Sequence, residues 1–202
     1  HDEWEVLRKK ALLDHPVLKF DKILFVSRKY QGASTYTAQK LHYYKPGERV
    51  GNICLLSPVS ADGKVTELVP ELSGGTFGRF DLSFDASKIV FGYAGKEKHY
   101  RIYEIDVDPK TGLRAGGDDF RQLTFSNAEE ARTMQCYQGS HCAGGFEDLD
   151  PVYLPSGKIL FCSTRSQRSV LCNPTTVTTL HVMDADGKNM TCISEGQVNE
   201  MS

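Results

Sequence analysis

The chain has 202 residues, a formal net charge of -2 and a pI of about 6.3, a length that suits one large domain or two small ones. This charge balance gives no basic surface for nucleic acid or an anionic membrane. No apolar run is long enough to cross a bilayer, so membrane insertion is not expected. The chain carries no evident secretory signal and starts with His1, so we expect it to be a piece cut from a longer protein.

The first predicted element is a helix over residues 3–14. Trp4, Leu7 and Ala11 recur at helical spacing, and Pro16 stops the pattern. We expect residues 1–16 to form a clamp that packs on the edge of the rest of the chain. A helix that binds a partner protein is the alternative.

A strand-and-turn unit then occurs three times. Its best copy has Asp148 and Asp150 before Pro151, a tight turn at residues 155–158 and an apolar strand that begins at Ile159. Degraded copies lead into apolar triplets that begin at residues 23 and 89. Without the loop insertions, each unit has about 40–45 residues, the length of a four-stranded propeller blade.

The repeat predicts an all-β fold, a β-propeller segment of about three four-stranded blades with an N-terminal helix. The blades are expected at residues 17–73, 74–126 and 143–198. Each apolar triplet is expected to form the inner strand of its blade. Since a closed ring has at least four blades, residues 17–202 are expected to form an incomplete ring that continues beyond the chain.

Two segments of the third unit, residues 150–165 and 180–187, resemble the TolB-type, WD40-like propeller repeat. Further stretches are similar to the alpha subunit of hydrazine synthase and its relatives of unassigned function in planctomycetes and similar bacteria. They comprise residues 11–16 with 20–26, residues 81–85, residues 146–151, and Cys172 shortly before residues 179–184. In that family, haem-bearing parts follow the propeller, and a propeller cysteine reaches a zinc site beside the active haem.

The resemblance implies a non-catalytic propeller module, acting as scaffold and docking surface in an exported or periplasmic bacterial protein. Its expected partner is another protein or the remaining blades of its own. One alternative is part of a genuine multihaem hydrazine synthase, which condenses nitric oxide and ammonia to hydrazine. Another is a TolB-like periplasmic protein-binding module. No Cys-x-x-Cys-His motif occurs here, so haem would belong only to parts outside this chain.

The six cysteines are too sparse for a small disulfide-built domain. Three lie inside predicted strands, where a free cysteine acts as a small buried hydrophobe: Cys54, Cys162 and Cys192. In one loop, Cys136, His141 and Cys142 could bind zinc, but a Cys136–Cys142 disulfide and free thiols are the alternatives. By its matching position, the resemblance makes Cys172 a candidate metal ligand. The alternatives are an ordinary loop thiol and a cysteine paired with the loop that holds Cys136 and Cys142.

The last candidate site is polar. Asp148, Asp150 and Arg165 flank the apolar strand of the third unit. If that strand lines the central channel, these side chains could bind a cation or another ligand at the channel mouth. The alternative is that the carboxylates pair with Arg165 or cap backbone amides in the turn.

Overall fold

The computed structural model is built mainly from β-strands in three antiparallel sheets, with few helices. The predicted all-β fold with an N-terminal helix is therefore confirmed. The structure describes residues 2–13, 20–28, 51–60, 62–95, 99–116, 120–134, 145–166, 168 and 177–195.

The strands of each sheet follow one another in the chain and pair with their sequence neighbours. Sheet one contains β1 (Ile23–Arg28), β2 (Gly51–Ser57) and β3 (Lys64–Glu67). Sheet two contains β4 (Thr76–Leu82), β5 (Lys88–Ala94), β6 (Tyr100–Asp106) and β7 (Arg121–Gln122). Sheet three contains β8 (Asp148–Tyr153), β9 (Ile159–Ser163), β10 (Thr179–Met183) and β11 (Thr191–Cys192). The helices are α1 (Asp2–Leu13), a 3-10 turn (Pro70–Leu72) and α2 (Ala128–Met134).

Sheets two and three have the four strands expected of a propeller blade, whereas sheet one has three strands among the described residues. Adjacent strands run antiparallel and are joined in order, so each sheet is a simple meander. Such four-stranded meanders are the repeating unit of propellers.

The prediction that the apolar triplets form inner strands is wrong for sheets two and three. The triplets that begin at Ile89 and Ile159 lie in β5 and β9, which are second in their sheets. The first strands are β4 and β8, which contact each other where the two sheets meet. Both are interrupted by a register shift, and in β8 the shift includes Asp150 with a positive φ of 49°. Polar residues and this irregularity hide a strand from a search for apolar alternation.

Sheet two is packed between the other two sheets, so both faces of β5 are buried. Ile89 and Phe91 belong to the apolar cluster shared with sheet one. Val90, on the opposite face, belongs to the cluster shared with sheet three, together with Phe161 and Met183. Since successive side chains of a strand point to opposite faces, a strand between two sheets requires the unbroken apolar run seen here.

Tyr153 at the end of β8 joins sheet three to sheet two by polar contacts. Its backbone N–H donates to Asp81 Oδ2 at 2.8 Å, and its hydroxyl donates to Glu104 Oε1 at 2.7 Å. Glu104 is buried and also accepts from Arg121 Nε at 3.1 Å. Burial, and then the Glu104 hydrogen bond, raise the pKa of Tyr153, so the phenol remains a donor at neutral pH.

Helix α1 presents its described side chains to solvent. Trp4 is 67% exposed, and Val6 and Leu7 are exposed to a similar degree. The described part of the chain therefore leaves these apolar side chains of the helix largely uncovered. Among the helices that the structure describes, none has the length and apolar character needed to cross a membrane.

Candidate functional site: the loop end of the sheets

The antiparallel topology places the three longest connections between strands at one end of the sheets, called here the loop end. Residues 29–50 join β1 to β2, residues 123–147 join β7 to β8, and residues 164–178 join β9 to β10. All three connections leave from this end. The opposite end, called the turn end, carries tight turns such as residues 83–87 and 154–158, together with the connection of residues 107–120 between β6 and β7. Since propeller loops carry function on a rigid scaffold, the loop end is the candidate functional site.

Asp148 and Arg165 form a buried ion pair at the loop end. The fully buried Asp148 accepts from Arg165 Nε at 2.9 Å through Oδ1 and from Arg165 Nη2 at 2.7 Å through Oδ2. Ser163 Oγ donates to the same carboxylate at 2.7 Å. The guanidinium carbon lies 5.1 Å from the centre of the Phe146 ring. This two-pronged geometry fixes the start of β8 to the end of β9.

Asp150 lies apart from that pair. Its Oδ2 is 3.8 Å from Arg79 Nη1, across the junction between β8 and β4. The structure thus brings Asp148 and Arg165 together, as one of the sequence interpretations has it, and directs Asp150 to the neighbouring sheet. Cation or ligand binding by these three residues stays a prediction. Within the described ranges, no group of three or more His, Cys, Asp or Glu side chains is arranged to hold a metal ion.

Glu147 and His99 form a second polar pair beside the first. Glu147 Oε1 lies 2.9 Å from His99 Nδ1, and Oε2 accepts from the backbone N–H of Tyr100 at 2.7 Å. The backbone N–H of Glu147 donates to Thr164 Oγ1 at 2.9 Å. Burial raises the pKa of Glu147 despite the opposing hydrogen bond from His99. Glu147 thereby contacts the start of β6 through its carboxylate and the connection that follows β9 through its backbone N–H.

Arg101 and Glu130 hold the backbone of Phe146 from two directions. Arg101 is almost fully buried, and its Nη1 donates to the Phe146 carbonyl. Its Nη2 donates to Glu130 Oε1 at 2.7 Å and to Ser126 Oγ at 2.6 Å. The same Glu130 oxygen accepts the Phe146 N–H at 2.6 Å. Helix α2, which carries Glu130, begins at an Asn127 side chain that accepts the Glu130 N–H at 2.8 Å.

Sequence reasoning missed His99, Arg101, Glu130 and Glu147, because their partners lie far away in the chain. A weak signal existed for α2: an asparagine followed by two glutamates is a helix-start pattern. An arginine within the alternating strand that begins at Tyr100 was also a sign of a buried charge that needs a partner.

The predicted metal and disulfide residues Cys136, His141, Cys142 and Cys172 lie outside the described residues. Their roles therefore remain predictions. The three strand cysteines are free thiols. Cys54 and Cys162 are buried, as expected, and burial raises the pKa of the Cys54 thiol. Cys192 is exposed, because β11 lies at the outer edge of sheet three.

Comparisons with known proteins find likeness among solved structures. No protein-family model matches the chain, and no curated protein matches it. Among solved structures, the chain is similar to a putative TolB from Agrobacterium tumefaciens, with 18% identity and a TM-score of 0.41. The match covers 73% of this chain and 39% of the TolB chain. The chain thus spans about two fifths of the length of that protein.

Proposed function

We propose that this segment is a non-catalytic docking module that binds another protein through the loop end of its sheets. The observation that carries the proposal is the convergence of the three longest connections on one end, where buried ion pairs anchor the described ends of two of them, residues 123–147 and 164–178. Anchored loops lose less conformational entropy on binding than free ones. A surface of this kind suits recognition better than a set of short turns does.

An exposed aromatic residue lies next to these anchors. Phe125 is 58% exposed, and its carbonyl accepts from Arg165 Nη2 at 3.2 Å. Aromatic and arginine side chains held in place by their neighbours are the usual centres of protein interfaces. Phe125 is therefore the first residue to test as a contact with the partner.

Site-specific photo-crosslinking tests the proposal. A photoreactive phenylalanine analogue replaces Phe125, and a matched protein carries it at Phe84, which is 76% exposed at the turn end. Both proteins are irradiated in an extract of the source organism, and the crosslinked products are identified by mass spectrometry. We expect a discrete product from position 125 that position 84 does not give. Equal labelling at both positions, or none at 125, contradicts the proposal.

The finer proposal is that the module belongs to an exported, periplasmic bacterial protein related to the alpha subunit of hydrazine synthase. The four stretches of sequence similarity given above support it. A genuine multihaem hydrazine synthase is the second candidate, and Cys-x-x-Cys-His motifs in the rest of the full-length protein would favour it. A TolB-like periplasmic binding module without redox chemistry is the third.

Metal content separates these candidates further. In the proposed relationship, Cys172 contributes to a zinc site that other parts of the protein complete. Zinc and free thiols are counted on the purified protein and on a Cys172→Ser variant. Near-stoichiometric zinc that the variant loses supports the relationship. If the protein contains no zinc and Cys136 and Cys142 form a disulfide, the relationship through a zinc site is contradicted. The hypothesis of an exported scaffold propeller then remains.

A further inference from the structure

A groove of about 270 Å³ opens between sheets one and two at the turn end. Its apolar lining comes mainly from Leu24, Leu55, Leu82 and Val107. Leu55 and Val107 belong to the buried core, whereas Leu82 is 37% exposed at the rim. The core between the two sheets therefore continues into an accessible apolar surface. The volume is smaller than that of most small-molecule sites and suits one or two large side chains.

The second uncovered apolar surface is one face of helix α1. Trp4, Leu7 and Ala11 lie on this face at spacings of three and four residues. All three side chains are exposed. Exposed tryptophan and leucine on one helix face commonly mark a contact surface.

We propose that this face of α1 docks into the groove of its own chain, with Trp4 as the anchoring side chain. Chain length permits the contact. The helix ends at Leu13, and Lys22 already lies in the groove lining. Nine residue steps span up to about 30 Å when extended, so the connection is long enough to let the helix lie against the groove.

The charges around the two surfaces allow two pairs of opposite charge. Glu3 and Arg8 flank the apolar face of the helix, one on each side. The groove rim carries Lys22 and Asp108, again one charge of each sign. Arg8 contacts only the exposed Glu5 among its described ion pairs, at 3.5 Å. Exchange of such a surface partner costs little free energy, so Arg8 is available to Asp108.

The proposal is independent of the protein-binding function proposed above, because the groove lies at the turn end, opposite the loop end. Docking of α1 would cover the exposed core margin at the turn end and leave the loop end unchanged. A failure of one proposal therefore does not affect the other.

Fluorescence tests the docking directly, because Trp4 is the only tryptophan in the chain. The measurements are the emission maximum and acrylamide quenching of the 202-residue protein and of three variants. Leu82→Asp places a charge at the groove rim, and Leu7→Asp places one on the helix face. Val65→Asp is the matched control, because Val65 is exposed on β3, outside the groove lining.

We expect the unmodified protein to emit at short wavelength and to resist quenching. Leu82→Asp and Leu7→Asp should both move the emission to longer wavelength and increase quenching, while Val65→Asp should do neither. Leu7→Asp changes no residue of the sheets, so its result stands even if Leu82→Asp impairs folding. Emission typical of a solvated indole in the unmodified protein overturns the proposal. Emission that responds to neither Leu82→Asp nor Leu7→Asp also overturns it. A short-wavelength emission that disappears on dilution overturns it as well, because it would indicate that helices are exchanged between copies of the chain.

Discussion

The buried pair of Asp148 and Arg165 leads to a quantitative prediction for the loop end. The substitution Asp148→Asn keeps the size of the side chain but removes its charge. An amide offers one acceptor oxygen, whereas the carboxylate accepts three hydrogen bonds, two from Arg165 and one from Ser163. The variant therefore leaves the Arg165 guanidinium, only 13% exposed, without its counter-charge.

The size of the expected stability loss in Asp148→Asn follows from the burial of the ion pair. Removal of one partner of a buried ion pair costs about 3–5 kcal/mol, because the remaining charge stays desolvated. A whole domain is stable by about 5–15 kcal/mol, so this single change would remove a large part of its stability. Replacement of both partners by apolar residues, as in Asp148→Leu with Arg165→Met, should recover most of the loss. The exposed Arg8–Glu5 pair is the control, and Glu5→Gln should cost less than about 1 kcal/mol.

Urea denaturation followed by circular dichroism measures these differences as changes in midpoint at constant slope. A loss below 1 kcal/mol in Asp148→Asn, similar to that in Glu5→Gln, would refute the reasoning. It would mean that solvent reaches this pair and that the loop end is not anchored by it. A double variant less stable than either single variant would contradict the argument from desolvation.

Three further predictions concern packing and pH. Gly145→Ala should lower the free energy of unfolding by about 1–3 kcal/mol, because the added Cβ would lie 2.6 Å from His99 Cδ2. Gly74→Ala is the control, since nothing lies within 4 Å of its added Cβ. It should change the free energy of unfolding by no more than about 0.5 kcal/mol. Equal denaturation midpoints for the two variants would contradict this. Burial lowers the pKa of His181 below its ordinary 6.5 despite an opposing backbone hydrogen bond, so the unfolded state binds the proton first as pH falls. The free energy of unfolding should therefore decrease as the pH falls below about 6.5, and it should decrease less in His181→Gln than in the unmodified protein. If the free energy of unfolding depends on pH in the same way in both proteins, the prediction is wrong. Phe161→Ala, at a fully buried position, should lose about 3–5 kcal/mol, and an unchanged melting temperature in calorimetry would rule this out.

The apolar strands were predictable from sequence, and the polar first strands were not. Ile89 and Ile159 begin runs whose buried character is evident without a structure. In β4 and β8, by contrast, carboxylates such as Asp81 and Asp148 interrupt the apolar pattern. Their partners, Tyr153 and Arg165, come from another sheet or a neighbouring strand. A strand whose polar groups are satisfied by distant residues gives little local signal.

The contacts of the candidate site were also only partly predictable from the sequence. The pair of Asp148 and Arg165 was among the sequence interpretations, because both residues flank one strand and are close in the chain. The contact between His99 and Glu147 joins residues 48 positions apart and depends on how sheets two and three pack. Only the tertiary structure supplies that distance.

The contacts of Tyr153 also bear on how the molecule opens. Its amide hydrogen is bound by a carboxylate of the neighbouring sheet, and its hydroxyl by a second one. That amide can exchange with solvent deuterium only when the two sheets separate or when its hydrogen bond to the Asp81 carboxylate breaks. Slow exchange at this one position would therefore report on a cooperative unit larger than a single blade. Sheets two and three would then unfold together, and a boundary drawn between them from the repeat pattern would divide one folding unit in two.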